Sequence, residues 1–67
     1  MDEIKKRVGS KIRFQREQRK MLQREVASLS GLPVRTVGRI ERGEVDVRIT
    51  SLYKISKALE LSIKDLF

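Results

Sequence analysis

The residues of this sequence that are best suited to chemistry are two arginines, Arg35 and Arg39, which are four positions apart. Side chains with this spacing are neighbours on one face of a helix. Each guanidinium is a permanent cation with a planar fork of donors, which matches the O6 and N7 acceptors of guanine or the oxygens of a phosphate. The simpler interpretation is that both are solubilising charges on a solvated face. We favour contact with bases, which requires a helix that holds both side chains outward.

The whole chain carries a strong positive charge. Sixteen lysines and arginines against nine acidic residues give a net charge of +7 on 67 residues. This charge density favours a polyanionic partner, although a basic surface can also serve solubility alone. Charge by itself leaves double-stranded DNA, RNA and an anionic membrane open. The aromatic residues Phe14, Tyr53 and Phe67 are too few for a platform that stacks single-stranded bases.

The composition gives little support to enzyme or metal chemistry. The sequence contains neither cysteine nor histidine, which excludes thiol nucleophiles, imidazole bases and metal sites built from these ligands. We therefore expect no enzyme, no metal and no cofactor. There is also no run of 18 apolar residues and no signal-peptide pattern. We expect a cytoplasmic protein without a membrane partner.

Hydrophobic periodicity predicts an all-α protein with five short helices in a single domain, residues 1–67. These helices are predicted over residues 2–20, 23–30 and 33–42, in a segment after a loop at 44–48, and in a last turn that a capping box opens at Ser62. The fourth helix has the clearest apolar face, formed by Leu52, Ile55, Ser56 and Leu59.

The first helix carries a narrow apolar stripe that is interrupted by a glycine. Ile4, Val8 and Ile12 recur at helical spacing, and Gly9 lies between them. Glycine weakens a helix by about 1 kcal/mol relative to alanine. Gly9 therefore indicates either a close crossing by another helix or the end of a frayed first turn.

Residues 23–43 have the pattern of a helix-turn-helix. Ala27 provides a small residue for close approach, Gly31 and Leu32 form the turn, and Val37 and Ile40 anchor the next helix from beneath. In this architecture the outward N-terminal part of the second helix enters the major groove of DNA. The residues left pointing outward are Val34, Arg35, Gly38, Arg39 and Arg42.

The sequence resembles the phage-repressor family of helix-turn-helix proteins, also called the Cro/CI or XRE-like family, from about residue 8 to residue 67. The most specific part is the stretch from Thr36 to Gly43, which ends Ile-Glu-Arg-Gly. Further matching positions are Ile12, Arg16, Gln23, Ala27, Gly31, Leu52, Ile55, Leu59 and Ser62. The resemblance implies a five-helix, lambda-repressor-like DNA-binding domain with a recognition helix at about residues 34–42.

The resemblance also implies roles for individual side chains. Gln23 matches a residue that contacts the DNA backbone and sometimes a base. The positions that match base-contacting residues are Val34, Arg35 and Arg39, and those that match residues near the phosphates are Thr36 and Arg42. Arg16 and Glu41 match a salt bridge between the first and third helices. Arg24 is either a backbone contact or simply exposed.

Several residues depart from the family pattern. Leu22 stands where Ser or Thr usually caps the second helix, and Pro33 replaces a frequent Ser at the start of the third. Gly38 lies in mid-helix, where it either lets the backbone approach DNA or leaves a costly gap. Glu44 and Asp46 would repel a nearby phosphate.

The function that the resemblance implies is a sequence-specific, double-stranded DNA-binding transcriptional regulator. We expect a repressor that binds a palindromic operator as a homodimer, since one recognition helix spans few base pairs. The candidate dimer surface, whose residues could equally complete the monomer core, is Leu61, Ile63, Leu66 and Phe67. The alternative is an antitoxin-type protein that binds a partner protein as well as DNA, for which Phe14 and Leu29 are extra apolar residues. An RNA-binding role has only the charge in its favour.

Overall fold

Four α-helices and one short 3-10 helix form the described part of the chain. The structure is a computed structural model that describes the backbone of residues 2–67 and the side chains of residues 3–67. The elements are α1 (Asp2–Gln18), α2 (Gln23–Ser30), α3 (Val34–Glu41), α4 (Ile49–Ala58) and the 3-10 helix at Ile63–Leu66. Residues 2–67 contain no β-strand, which confirms the all-α prediction. None of the helices in this range is long and apolar enough to cross a membrane.

The fifth predicted helix is a single 3-10 turn, so residues 2–67 contain four α-helices rather than five. The capping box predicted at Ser62 is present, because the Asp65 carboxylate accepts a hydrogen bond from the Ser62 N–H at 3.1 Å. The Asp65 N–H donates in turn to the Ser62 carbonyl at 3.0 Å, three residues back. This tighter ring is typical of a helix of only three or four residues.

One apolar core joins all of these elements. It consists of Val8, Ile12, Val26, Ala27, Val37, Ile40, Leu52, Ile55, Leu59 and Leu66. α2 packs against both α3 and α4, and α1 packs against α3. Ile4 was predicted to extend the α1 stripe, but it is 57% exposed and lines a surface groove instead of joining the core.

The turn between α2 and α3 is closed by backbone hydrogen bonds at a left-handed glycine. Gly31 has a φ of 76°, and its N–H and that of Leu32 both donate to the Ala27 carbonyl, at 2.9 and 3.2 Å. Pro33 is extended, and α3 begins at Val34. The proline therefore caps α3 instead of being its first helical residue, and its carbonyl accepts from Thr36 and Val37.

α1 and α3 cross in direct backbone contact at Gly9. A Cβ built on Gly9 would lie 2.8 Å from the Glu41 carbonyl oxygen and closer still to the Ile40 carbonyl oxygen. Of the two interpretations of this glycine, the close helix crossing is the one that the structure shows. At the end of α3, a Cβ on Gly43 would meet Lys6 Cγ at 2.7 Å. Two glycines thus allow α1 to lie against the C-terminal half of α3.

The C-terminal apolar residues fall into two groups. Leu66 is completely buried in the core of its own chain, so it is corrected from a dimer-surface residue to a core residue. Leu61 and Ile63 are half-buried against the same core. Phe67 remains about half exposed and borders the groove beside Ile4.

Candidate nucleic-acid interface

The outer face of α3 presents its cationic side chains to solvent. Val37 and Ile40 are buried beneath the helix, and the intervening Arg39 is exposed. Arg35 is exposed on the same side, since it is four residues from Arg39 on one continuous helix. Val34 is half exposed at the start of the helix. The two arginines expected to contact bases therefore share one open edge.

The start of α2 lies over the middle of α3, at Gly38. A Cβ on Gly38 would lie 3.3 Å from Gln23 Oε1 and 3.2 Å from Arg42 Nη1. The missing side chain therefore leaves room for the side chains of Gln23 and Arg42 above the helix. Gln23 also donates from Nε2 to Glu41 Oε1 at 3.0 Å. Gly38 is accordingly buried under these two polar side chains.

A buried ion pair holds this arrangement to α1. Arg16 Nε and Nη2 donate to the two carboxylate oxygens of Glu41 at 2.7 and 3.1 Å, and Arg16 Nη1 donates to the Met21 carbonyl at 2.7 Å. Only 1% of the Glu41 side chain and 11% of the Arg16 side chain are exposed. The hydrogen bond with Glu41 raises the pKa of Arg16, against the opposing effect of burial. Together with Gln23, the pair ties α1, α2 and α3 to one carboxylate.

Glu44 pairs with two arginines at the C-terminal end of α3. Arg42 Nε donates to Glu44 Oε2 at 2.7 Å, and Arg39 Nε lies 3.8 Å from Glu44 Oε1. The hydrogen bond from Arg42 lowers the pKa of the Glu44 carboxyl. The sequence indicated that Glu44 would repel phosphate, but it gave no sign of this pairing.

Backbone hydrogen bonds fix the main chain of Glu44 at the end of α3. Gly43 has a φ of 72°, and its N–H donates to the Ile40 carbonyl at 3.0 Å. The Glu44 N–H reaches back to the Arg39 carbonyl, also at 3.0 Å. These two bonds form a Schellman motif, the standard glycine-dependent helix end. Gly43 is the sequence signal for this helix end and for the backbone position of Glu44, but it does not predict the side-chain pairing.

The remaining candidate residues lie around this edge. Arg24 is exposed in the first turn of α2, and Thr36 is half-buried in the first turn of α3. Leu22 provides no side-chain cap for α2, but the Glu25 carboxylate accepts from the Leu22 N–H at 2.7 Å. The start of α2 is therefore capped on one side despite the missing Ser or Thr.

Two apolar residues outside the core are exposed on other parts of the surface. Phe14 on α1 is 57% exposed and Leu29 on α2 is 65% exposed. Leu29 lines a shallow depression of about 290 Å³ with Met21 and Ala58, and Phe14 is not among the lining residues. Phe14 therefore does not contribute to the depression beside Leu29.

The crosswise helices and the exposed cationic edge define a protein with the DNA-binding fold of transcriptional regulators. The chain belongs to the HTH_3 helix-turn-helix family, whose model matches residues 12–66. This match confirms the resemblance to the phage-repressor type of helix-turn-helix.

Similar proteins include two that are named transcriptional regulators and one that is named a controller protein. The uncharacterized HTH-type transcriptional regulator y4dL of Sinorhizobium fredii is 38% identical over 56 residues, which are 84% of this chain and 29% of that protein. The present chain thus spans less than a third of this curated relative. The restriction-modification controller protein C.AhdI from Aeromonas hydrophila has a TM-score of 0.92 and 32% identity, over 94% of this chain and 96% of that one. An HTH_3 family transcriptional regulator from Vibrio cholerae has a TM-score of 0.94 and 31% identity, over 100% of this chain and 38% of that one.

Proposed function

We propose that this protein binds double-stranded DNA sequence-specifically through α3 and represses transcription by occupying a promoter in the cytoplasm. Residues 1–67 act in this proposal as one DNA-binding domain. The observation that carries it is the exposed edge of α3, on which Arg35 and Arg39 lie side by side. The edge is held by a helix whose opposite face is buried in the core, so its position is fixed before DNA arrives.

The side chains of the edge suit different parts of a DNA duplex. Arg35 and Arg39 carry the donor fork that matches guanine in the major groove, and Val34 suits a thymine methyl group. Arg42 and Arg24 would face the phosphates along the groove wall, and Thr36 would offer them a hydroxyl. Gln23 is held over α3 by Glu41, so its amide oxygen and its second N–H remain for the DNA backbone.

We further propose that two copies act together on a palindromic operator. α3 is eight residues long, and one such helix contacts too few base pairs for useful specificity. Two copies would place their helices in successive major grooves, about 34–36 Å apart. The apolar surface that supports self-association surrounds Phe67, which lines a groove of about 150 Å³ with the exposed residues Ile4 and Ile49. Half-buried Leu61 and Ile63 belong to the same C-terminal segment.

An antitoxin-type role, with a protein partner in addition to DNA, is the second candidate. The exposure of Phe14 and Leu29 is the observation in its favour. We prefer the regulator, because Phe14 does not line the depression beside Leu29, whereas the α3 arginines share one face.

The proposal is tested by selecting a binding site from a random duplex library and then measuring affinity for the selected and for random duplexes. Arg39→Ala should weaken binding to the selected site by about 1–3 kcal/mol and relax the preference at one base pair. Arg13→Ala is the matched control, because Arg13 is an exposed arginine on α1, away from α3, where it pairs with the surface residue Glu17. If Arg39→Ala weakens binding to both duplexes as little as Arg13→Ala does, the base-contacting role is refuted. If no site emerges from the selection, sequence-specific binding itself is refuted.

A further inference from the structure

The Glu44 carboxylate occupies the donors that would otherwise be free to bind DNA phosphates. It accepts two hydrogen bonds from Arg42, at 2.7 and 3.4 Å, and lies 3.8 Å from Arg39. All three side chains are exposed to solvent. A surface ion pair of this kind is weak in water, so a DNA duplex can displace it. The negative charge of Glu44 nevertheless stays at the edge, because the Schellman motif at Gly43 fixes its backbone.

The competition between Glu44 and DNA phosphates for the two arginines differs between random and selected DNA. Binding to random duplex depends almost entirely on cations that replace the counterions of phosphates. Arg39 and Arg42 would both have to leave Glu44 to contribute there. On a selected site, Arg39 would contact a base instead of a phosphate, so only Arg42 could add a phosphate contact once it leaves Glu44.

We propose that Glu44 is a specificity-determining residue that suppresses phosphate-driven binding to random DNA by holding Arg39 and Arg42. This inference rests on the proposed function. It concerns the ratio of two affinities and not the ability to bind DNA. Glu44 therefore touches no base in this proposal and acts through the two arginines.

The expected effect follows from counterion release. Each additional phosphate contact adds about 0.9 to the slope of log affinity against log salt. Each contact therefore makes the loss of affinity between 50 and 200 mM salt about 3.5-fold larger. If both arginines are released on random duplex, the loss of affinity between 50 and 200 mM salt should become about 12-fold larger. If Arg42 alone is released on the selected site, that loss should become about 3.5-fold larger.

The test compares Glu44→Gln with Asp46→Asn in the otherwise unchanged chain. The two positions are two residues apart, and both substitutions convert an acid into its amide. Asp46, however, pairs with Lys5 on α1, at 3.8 Å, and not with α3. Affinities for random duplex and for the selected site are measured at 50, 100 and 200 mM salt. We expect Glu44→Gln to bind random duplex several-fold more tightly at low salt, with a steeper salt slope, and to lose specificity relative to Asp46→Asn. This gain in affinity for random duplex should be smaller when Arg42→Ala is combined with Glu44→Gln.

Two outcomes overturn the inference. One is a Glu44→Gln variant whose two affinities change no more than those of Asp46→Asn. The other is a gain of equal size on both duplexes, which would show general charge repulsion without any effect on specificity. Neither outcome affects the proposed function, which fails only if the unsubstituted protein selects no site.

Discussion

We expect the substitution Gly9→Ala to destabilise the protein, although alanine is the better helix former. In a helix interior, alanine is favoured over glycine by about 0.8–1.0 kcal/mol. At Gly9, however, the new Cβ would meet the carbonyl oxygens of Ile40 and Glu41, the second at 2.8 Å. These are backbone atoms and cannot rotate away, so α1 must move off α3. Overpacking costs about 1–3 kcal/mol. Two backbone contacts place the overpacking cost at about 3 kcal/mol, the upper end of that range. After subtraction of the gain of about 1 kcal/mol in helix propensity, the net loss of stability should be about 2 kcal/mol.

Gly38→Ala is the matched control, because Gly38 also lies inside a helix. Its new Cβ would meet only Arg42 Nη1 at 3.2 Å and the amide of Gln23 at 3.3 Å. Both groups are the ends of flexible side chains and can move by a few tenths of an ångström. Helix propensity should therefore dominate at this position, and we expect stability that is unchanged or higher by up to about 1 kcal/mol.

Unfolding in urea and on heating, followed by far-UV circular dichroism, measures both changes. In a domain of this size 1 kcal/mol corresponds to about 4–8 °C in Tm, so Gly9→Ala should unfold about 8–16 °C below the unsubstituted protein. A Gly9→Ala variant as stable as the unsubstituted protein would refute the reasoning, since it would mean that α1 and α3 are not in backbone contact.

The other predictions concern the ion pair, a helix end and self-association. Glu41→Gln should lower the free energy of unfolding in urea by about 3–5 kcal/mol, because it leaves the charge of Arg16 buried without its counterion. The double variant Arg16→Met, Glu41→Leu should recover most of that loss. A double variant as unstable as the single one would argue against this cause. Glu60 has a φ of 59° at the end of α4, so Glu60→Gly should raise stability by about 1 kcal/mol in thermal unfolding. Glu60→Gln is its control for charge, and a lower Tm for the glycine variant would contradict the prediction. Phe67→Ser should weaken dimerisation in sedimentation experiments without changing the far-UV spectrum, and a monomer both free and on DNA would rule out the dimer.

The helix-turn-helix could be predicted from the sequence because its positions are set by local geometry. Gly31 was expected at the turn since a left-handed residue is needed there, and it has a φ of 76°. Val37 and Ile40 were expected beneath α3, and both are buried. The exposure of Arg35 and Arg39 follows from the same helical repeat. Short-range periodicity thus predicts which residues face inward and which face outward.

Features that depend on contacts between distant residues could not be predicted in this way. The sequence left open whether Leu66 belongs to the core or to the surface, because the path of the C-terminal segment across α1 and α4 decides this. Gly9 had two interpretations until the neighbouring backbone of α3 was known. The pairing of Glu44 with Arg39 and Arg42 depends on side-chain conformations at the end of a helix, to which periodicity is blind.

The residues that fold α3 and the residues that would contact DNA are different members of the same helix. Val37 and Ile40 hold the helix in the core, whereas Val34, Arg35 and Arg39 project into solvent. Substitutions at exposed positions usually change stability by less than about 0.5 kcal/mol. Under the proposed function, new binding preferences can therefore be introduced at these three positions while the scaffold keeps its stability, which would make α3 a suitable starting point for retargeting to other DNA sequences.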